Sequence, residues 1–170
     1  MVSKDVLLEL FGRLPAIVRG AVEGLSPEQL ALRVDEEANS IAWLVWHLTR
    51  IQDDHVAEVA DPKQVWQEGG WAARFGLQEG TTDTGYGHSF QQVTSVRPES
   101  ADALVAYYDA VAEHTSAFLQ NLTDDDLERV VDRNWDPPVT LGVRLVSVAV
   151  DDLEHAGQAA YARGLLERNR

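Results

Sequence analysis

The chain has 170 residues, 45% of them hydrophobic and 25% charged, enough apolar material for one self-sufficient domain. It contains no cysteine, which excludes disulfides, thiolate zinc fingers, iron–sulfur clusters and a cysteine nucleophile, so any thiol chemistry must import its sulfur. A net charge of −14 repels phosphate backbones and anionic lipid, so neither nucleic acid nor a membrane is an expected partner.

The N-terminal Met-Val-Ser-Lys-Asp does not read as a signal peptide, and a cytoplasmic location is expected. Helical periodicity begins at once. Ser3 is the expected N-cap of a first helix over roughly 3–22, with Val6, Leu7, Leu10, Phe11, Leu14, Ile17 and Val18 at three- and four-residue spacing. Pro15 inside this pattern predicts a kink or an earlier stop. Gly24 closes the segment, and Ser26 with Pro27 at N1 opens a short capped turn.

A second helix is expected from Asn39 or Ser40 to about Ala60, ahead of Asp61-Pro62. Its apolar stripe is Ile41, Leu44, Val45, Leu48 and Ile51, and Trp43, His47, Arg50 and Asp54 form a neighbouring stripe. His55 faces the apolar stripe and reads as core. From about residue 61 to 97 the chain is irregular but rich in aromatics, including Trp66, Trp71, Phe75 and Phe90, with His88 among them. A connection of that length and composition predicts a packed loop lying over something, with a short helix near Lys63–Trp66.

A third helix spans about Glu99 to Leu122, with Leu104, Tyr108, Val111, Phe118 and Leu122 on one face and His114 beside it. Thr123 caps a brief turn through Val131, and Trp135-Asp-Pro-Pro is a stop. The last helix runs from Thr140 to about Leu166. Its inward stripe reads Leu141, Leu145, Val148, His155, Ala159, Ala162 and Leu166, with Arg144 and Asp151 on the margin. Four long amphipathic helices with little strand signal predict an all-α, single-domain four-helix bundle over 1–170, with a long crossover between helices 2 and 3.

Asp151 and His155 are four apart, one helical turn on the same face, and His47 can join them from a facing helix. Two imidazoles and a carboxylate can hold one metal ion and leave coordination positions open. Asp152, three before His155, is the competing carboxylate. Two readings are open at this level: a metal site, or an internal network in which Arg144 neutralises Asp151 and His155 is a satisfied core histidine. The same ligand set also suits non-haem iron oxygenases, although those are usually built on β-scaffolds.

The segments Asn39-Ser-Ile-Ala-Trp-Leu-Val-Trp-His-Leu-Thr-Arg-Ile-Gln-Asp-Asp and His155-Ala-Gly-Gln-Ala-Ala-Tyr-Ala-Arg-Gly resemble the second- and last-helix signatures of the DinB-like superfamily, in particular its mycothiol-dependent branch. That resemblance implies a four-helix bundle binding a divalent metal, usually zinc, through His47, Asp151 and His155. It further implies mycothiol as thiol co-substrate, activated for attack on an electrophile; Arg144, two turns before Asp151 on the same face, with Trp43 and Gln158, are the residues expected to line the thiol or substrate site. The expected product is a mycothiol conjugate, and the expected assembly a monomer or homodimer. Two alternatives share the resemblance: a metal-binding stress protein without turnover, and a mycothiol-dependent isomerase of the maleylpyruvate type. Such relatives usually carry Glu where Asp151 stands and often His where Gln158 stands.

Overall fold

The computed structural model describes residues 2–60 and 63–168; the Asp61-Pro62 stop lies outside them. The elements in chain order are α1 (Ser3–Val22), α2 (Pro27–Leu30), α3 (Ile41–Val59), α4 (Val65–Glu68), α5 (Trp71–Arg74), α6 (Phe90–Ser95), α7 (Ala101–Gln120), α8 (Asp124–Leu127), strands β1 (Val130–Asp132) and β2 (Val139–Thr140), and α9 (Leu141–Arg168). The long helices α1, α3, α7 and α9 form a four-helix bundle.

Local signals explain most boundaries. Ser40, Ser100 and Thr123 each accept a hydrogen bond from the backbone N–H three residues on, capping α3, α7 and α8. Ser26 caps α2 in the same way, with Pro27 in its first turn. At the first helix the expectation is off by one residue: Val2 is the N-cap and Ser3 is already helical, the Val2 N–H donating to the Asp5 carboxylate at 3.0 Å. Pro15 does not end α1. Leu7, Phe11, Leu14 and Val18 are buried on both sides of it, and their burial outweighs the one backbone bond that proline forfeits.

In the bundle α3 packs against α9 and α7, and α1 against α7 and α9. Cross-helix pairs give the directions. His55 meets Arg144 while His47 meets His155, so α3 and α9 are antiparallel. Arg50 meets Tyr107 and Gln52 meets Thr115, so α3 and α7 run the same way. Two parallel neighbours need a long connection, which is why the chain between α3 and α7 crosses over.

That crossover is more ordered than the sequence pattern indicates, holding α4, α5 and α6, the last capped by Ser89. The stretch after α8 forms an antiparallel two-stranded sheet that was not expected, with Val130 opposite Thr140. On α9 the buried stripe is Leu141, Leu145, Val148, Ala149, Asp152, Ala156, Ala159 and Ala162. His155 is therefore not part of the inward stripe as expected, but lies half-buried on its margin beside Asp151. Asp152 takes the core position instead, where neither carboxylate oxygen has a partner and burial drives its pKa far upward.

Candidate metal centre

His47, Asp151 and His155 converge at the seam of α3 and α9, offering one donor atom each within 4.8 Å of one another. The two imidazole rings meet edge to face at 4.9 Å, and His155 Nε2 stands 3.7 Å from Asp151 Oδ1. The other oxygen, Asp151 Oδ2, is buried with no hydrogen-bond partner. A buried carboxylate oxygen without a partner costs free energy that a bound cation would recover.

Both imidazoles are oriented from behind. His47 Nδ1 lies 2.5 Å from the Thr84 carbonyl, which only accepts, so Nδ1 carries the proton and Nε2 keeps its lone pair. His155 Nδ1 donates likewise to Gln158 Oε1 at 2.9 Å. Hydrogen bonding of one ring nitrogen to an acceptor is the usual way a metal-ligating histidine is held in its tautomer. Burial, opposed by the Thr84 carbonyl, lowers the pKa of His47 and favours the neutral, ligating form.

Trp43 stacks on His47 with ring centroids 4.5 Å apart and an interplanar angle of 13°. Its indole N–H donates to His88 Nδ1 at 3.0 Å, which leaves His88 Nε2 to donate to Asp83 at 2.7 Å. Burial pushes the Asp83 carboxyl up, but His88 and the Gly85 amide outweigh it and hold the pKa below the usual value. No sequence signal tied His88 to this site; its role rests on a loop conformation that only the fold defines. Gly85 completes the backing. Its φ is +89°, and a Cβ there would stand 2.8 Å from Trp46, 3.0 Å from His47 Nδ1 and 3.1 Å from Trp43.

Arg144 lies two turns before Asp151 on α9, farther along the α3–α9 seam. Its guanidinium donates to His55 Nδ1 at 2.7 Å and to Glu58 at 2.8 Å, with Asp132 at 3.4 Å. His55 is therefore not core as expected; its side chain is 34% exposed, and burial followed by the Arg144 charge lowers its pKa. His114 is half-buried on α7 and takes no part in the cluster.

The residues fit a metal: two imidazoles each held by an acceptor at Nδ1, one carboxylate with an unpartnered oxygen, and a common focus. A model of the mycothiol-S-transferase family matches residues 6–168. The chain belongs to that family. Among solved structures, this mycothiol-S-transferase family member is similar to a conserved protein from Enterococcus faecalis, with 27% identity over 96% of each chain and a TM-score of 0.86. It is also similar to YfiT from Bacillus subtilis, described as a probable metal-dependent hydrolase with an unusual four-helix bundle topology. There identity is 16%, coverage is 99% of this chain and 89% of that one, and the TM-score is 0.59. Identity that low supports the shared bundle and nothing finer. No curated protein matches significantly.

Proposed function

We propose that the protein is a metal-dependent thiol S-transferase that joins mycothiol, or a similar low-molecular-weight thiol, to an electrophile. The observation that carries this reading is the convergence of His47, Asp151 and His155 around a buried, unpartnered carboxylate oxygen in a member of the mycothiol-S-transferase family. His47, Asp151 and His155 would hold a divalent metal, zinc being the ion that a two-nitrogen, one-oxygen set with an open position suits best. Bound there, such an ion supplies Lewis-acid chemistry, lowering a thiol pKa from about 8–9 so that thiolate prevails at neutral pH.

The chain's own residues supply position and shelter. Thr84 and Gln158 fix the ring tautomers, Trp43 walls the His47 side, and the 81–88 segment closes that side from behind. Arg144, in the polar end of the cleft, is proposed to hold polar groups of the thiol, exchanging the half-exposed Glu58 for them. In the transfer, the thiol proton passes to solvent and a sulfur–carbon bond forms. The bond from that carbon to its leaving group breaks, and the group departs with the electron pair. No nucleophilic side chain is required, in keeping with a chain that has no cysteine.

No described helix is long and apolar enough to cross a membrane. A soluble cytoplasmic enzyme, as a monomer or homodimer, is the setting proposed. The test is thiol-dependent conjugation of a bimane or 1-chloro-2,4-dinitrobenzene by the zinc-loaded protein. Turnover that needs both zinc and thiol supports the transferase. Stoichiometric zinc without turnover would favour the metal-binding stress protein.

A further inference from the structure

We infer that the electrophile sits in an apolar notch at the α2-side end of the α3–α9 cleft, and that this notch selects an uncharged molecule about the size of one substituted ring. The inference rests on the transferase reading and adds the chemical class of the acceptor and its place.

The notch is a cavity of about 200 Å³. Leu44 and Ala162, both nearly fully buried, form its floor, and Val34, Ala38 and Tyr161 line its sides. A cavity of about 150 Å³ accepts benzene, so this volume suits one ring with substituents. The cavity adjoins the metal centre through both helices. Leu44 is one turn before His47 on α3, and Gln158, which lines the cavity, accepts the Nδ1 proton of His155 at 2.9 Å. A molecule in the notch therefore lies about one helical turn, roughly 5 Å, along the cleft from the ligand side chains.

Charge decides the class. None of the lining side chains is a cation or a carboxylate, and the polar groups are the amides of Asn39 and Gln158 and the Tyr161 hydroxyl. None of the nearest arginines lines the notch. Arg33 reaches the Ala38 carbonyl from outside the notch and lines a separate surface hollow with Asp35, Glu36 and Thr94, Arg163 donates to Glu167 and to the carbonyls of Gly20 and Glu23, and Arg144 lies at the opposite, polar end of the α3–α9 seam. A carboxylate in the notch would lose its hydration with no cation to meet it, inside a protein of net charge −14. The α3–α9 seam is thus bipolar: the thiol takes the Arg144 end, the neutral electrophile takes the Leu44 end, and the ligand triad stands between. This argues against the isomerase alternative, whose dienoic substrate is an anion.

The experiment compares 1-chloro-2,4-dinitrobenzene with its carboxylated counterpart 4-chloro-3-nitrobenzoate on the zinc-loaded protein. Binding without thiol is read by NMR at the Asn39 and Gln158 side-chain amides, and turnover is read with mycothiol. The neutral probe should shift both amides, and its kcat/KM should exceed that of the benzoate by at least about tenfold after correction for intrinsic reactivity. Ala162→Phe, which fills the notch, should lower the neutral probe's kcat/KM by about tenfold while zinc content and the thiol KM stay unchanged. Asn39→Lys, a surface-accessible change that tests the idea if Ala162→Phe fails to fold, should narrow or reverse the preference. Amide shifts without any turnover would leave the notch standing and sink the transferase reading. Turnover with unmoved notch amides, or indifference to both substitutions, would overturn the notch.

Discussion

Two buried polar clusters lie three residues apart on α3, and they differ in one respect. Around Arg50 every donor finds an acceptor: Nε meets the Asp83 carbonyl, Nη1 meets Asp53 and Tyr107, and Nη2 meets Gln64 and the Thr82 carbonyl. Asp53 is equally well supplied, accepting from the Val65 and Trp66 amides and from the Tyr107 hydroxyl at 2.8–2.9 Å. Around His47 the side chains are fixed just as firmly from behind, yet the front is unsatisfied, with Asp151 Oδ2 buried and partnerless. A saturated cluster ties the crossover to the bundle. A cluster held in place but left unsatisfied at its focus is arranged for something that is not protein.

The sharpest way to break that comparison is Arg50→Ala. It would leave the fully buried Asp53 carboxylate without its cation and release the Thr82 and Asp83 carbonyls, at an expected cost of about 3–5 kcal/mol in denaturant unfolding. A loss below about 1 kcal/mol would show that the saturated cluster is not structural. Gly85→Ala should come next. A side chain at φ +89° that also meets Trp46 and the His47 ring should destabilise by about 1–3 kcal/mol, and should displace the His47 NMR resonances.

Gln158→Ala tests the other half of the contrast. It should leave unfolding nearly unchanged in metal-free protein but weaken zinc about 10–100-fold by freeing His155 to rotate, as isothermal titration would record. Equal zinc affinity would show that Gln158 does not orient the ligand. The smallest effect is expected from Arg144→Ala. Its pair with half-exposed Glu58 should contribute at most about 1 kcal/mol, zinc content should not change, and the apparent KM for the thiol should rise. Loss of zinc in that variant would show the arginine to be structural.

The legible part of the molecule was the part encoded by local spacing. The bundle, its crossover and the caps at Ser26, Ser40 and Thr123 follow from period and capping chemistry within a turn or two of the residues themselves. The triad His47, Asp151 and His155 was legible for the same reason, since each member lies on a strongly periodic helix. Choosing Asp151 over Asp152 needed more than spacing, because a rotation of one residue exchanges a cleft position for a core position on α9; the structure places Asp151 with the histidines and Asp152 in the core. His55 was misjudged for a related reason. Periodicity placed it on the apolar face of its helix, and only the Arg144 guanidinium opposite makes that place polar. The backing set of Asp83, Thr84, Gly85 and His88 was illegible, because its register on the bundle depends on tertiary anchors such as Arg50 rather than on any repeat.

The central claim is that the unsatisfied cluster exists to hold a metal, and metal content measures this most directly. Plasma mass spectrometry would be run on wild type and His47→Ala, both purified without a histidine tag. Close to one zinc per wild-type chain is expected, and little or none in the variant, with both proteins folded. Wild type that carries no divalent metal and takes up none when zinc is added would contradict it, leaving the family a shared bundle and the triad a polar seam.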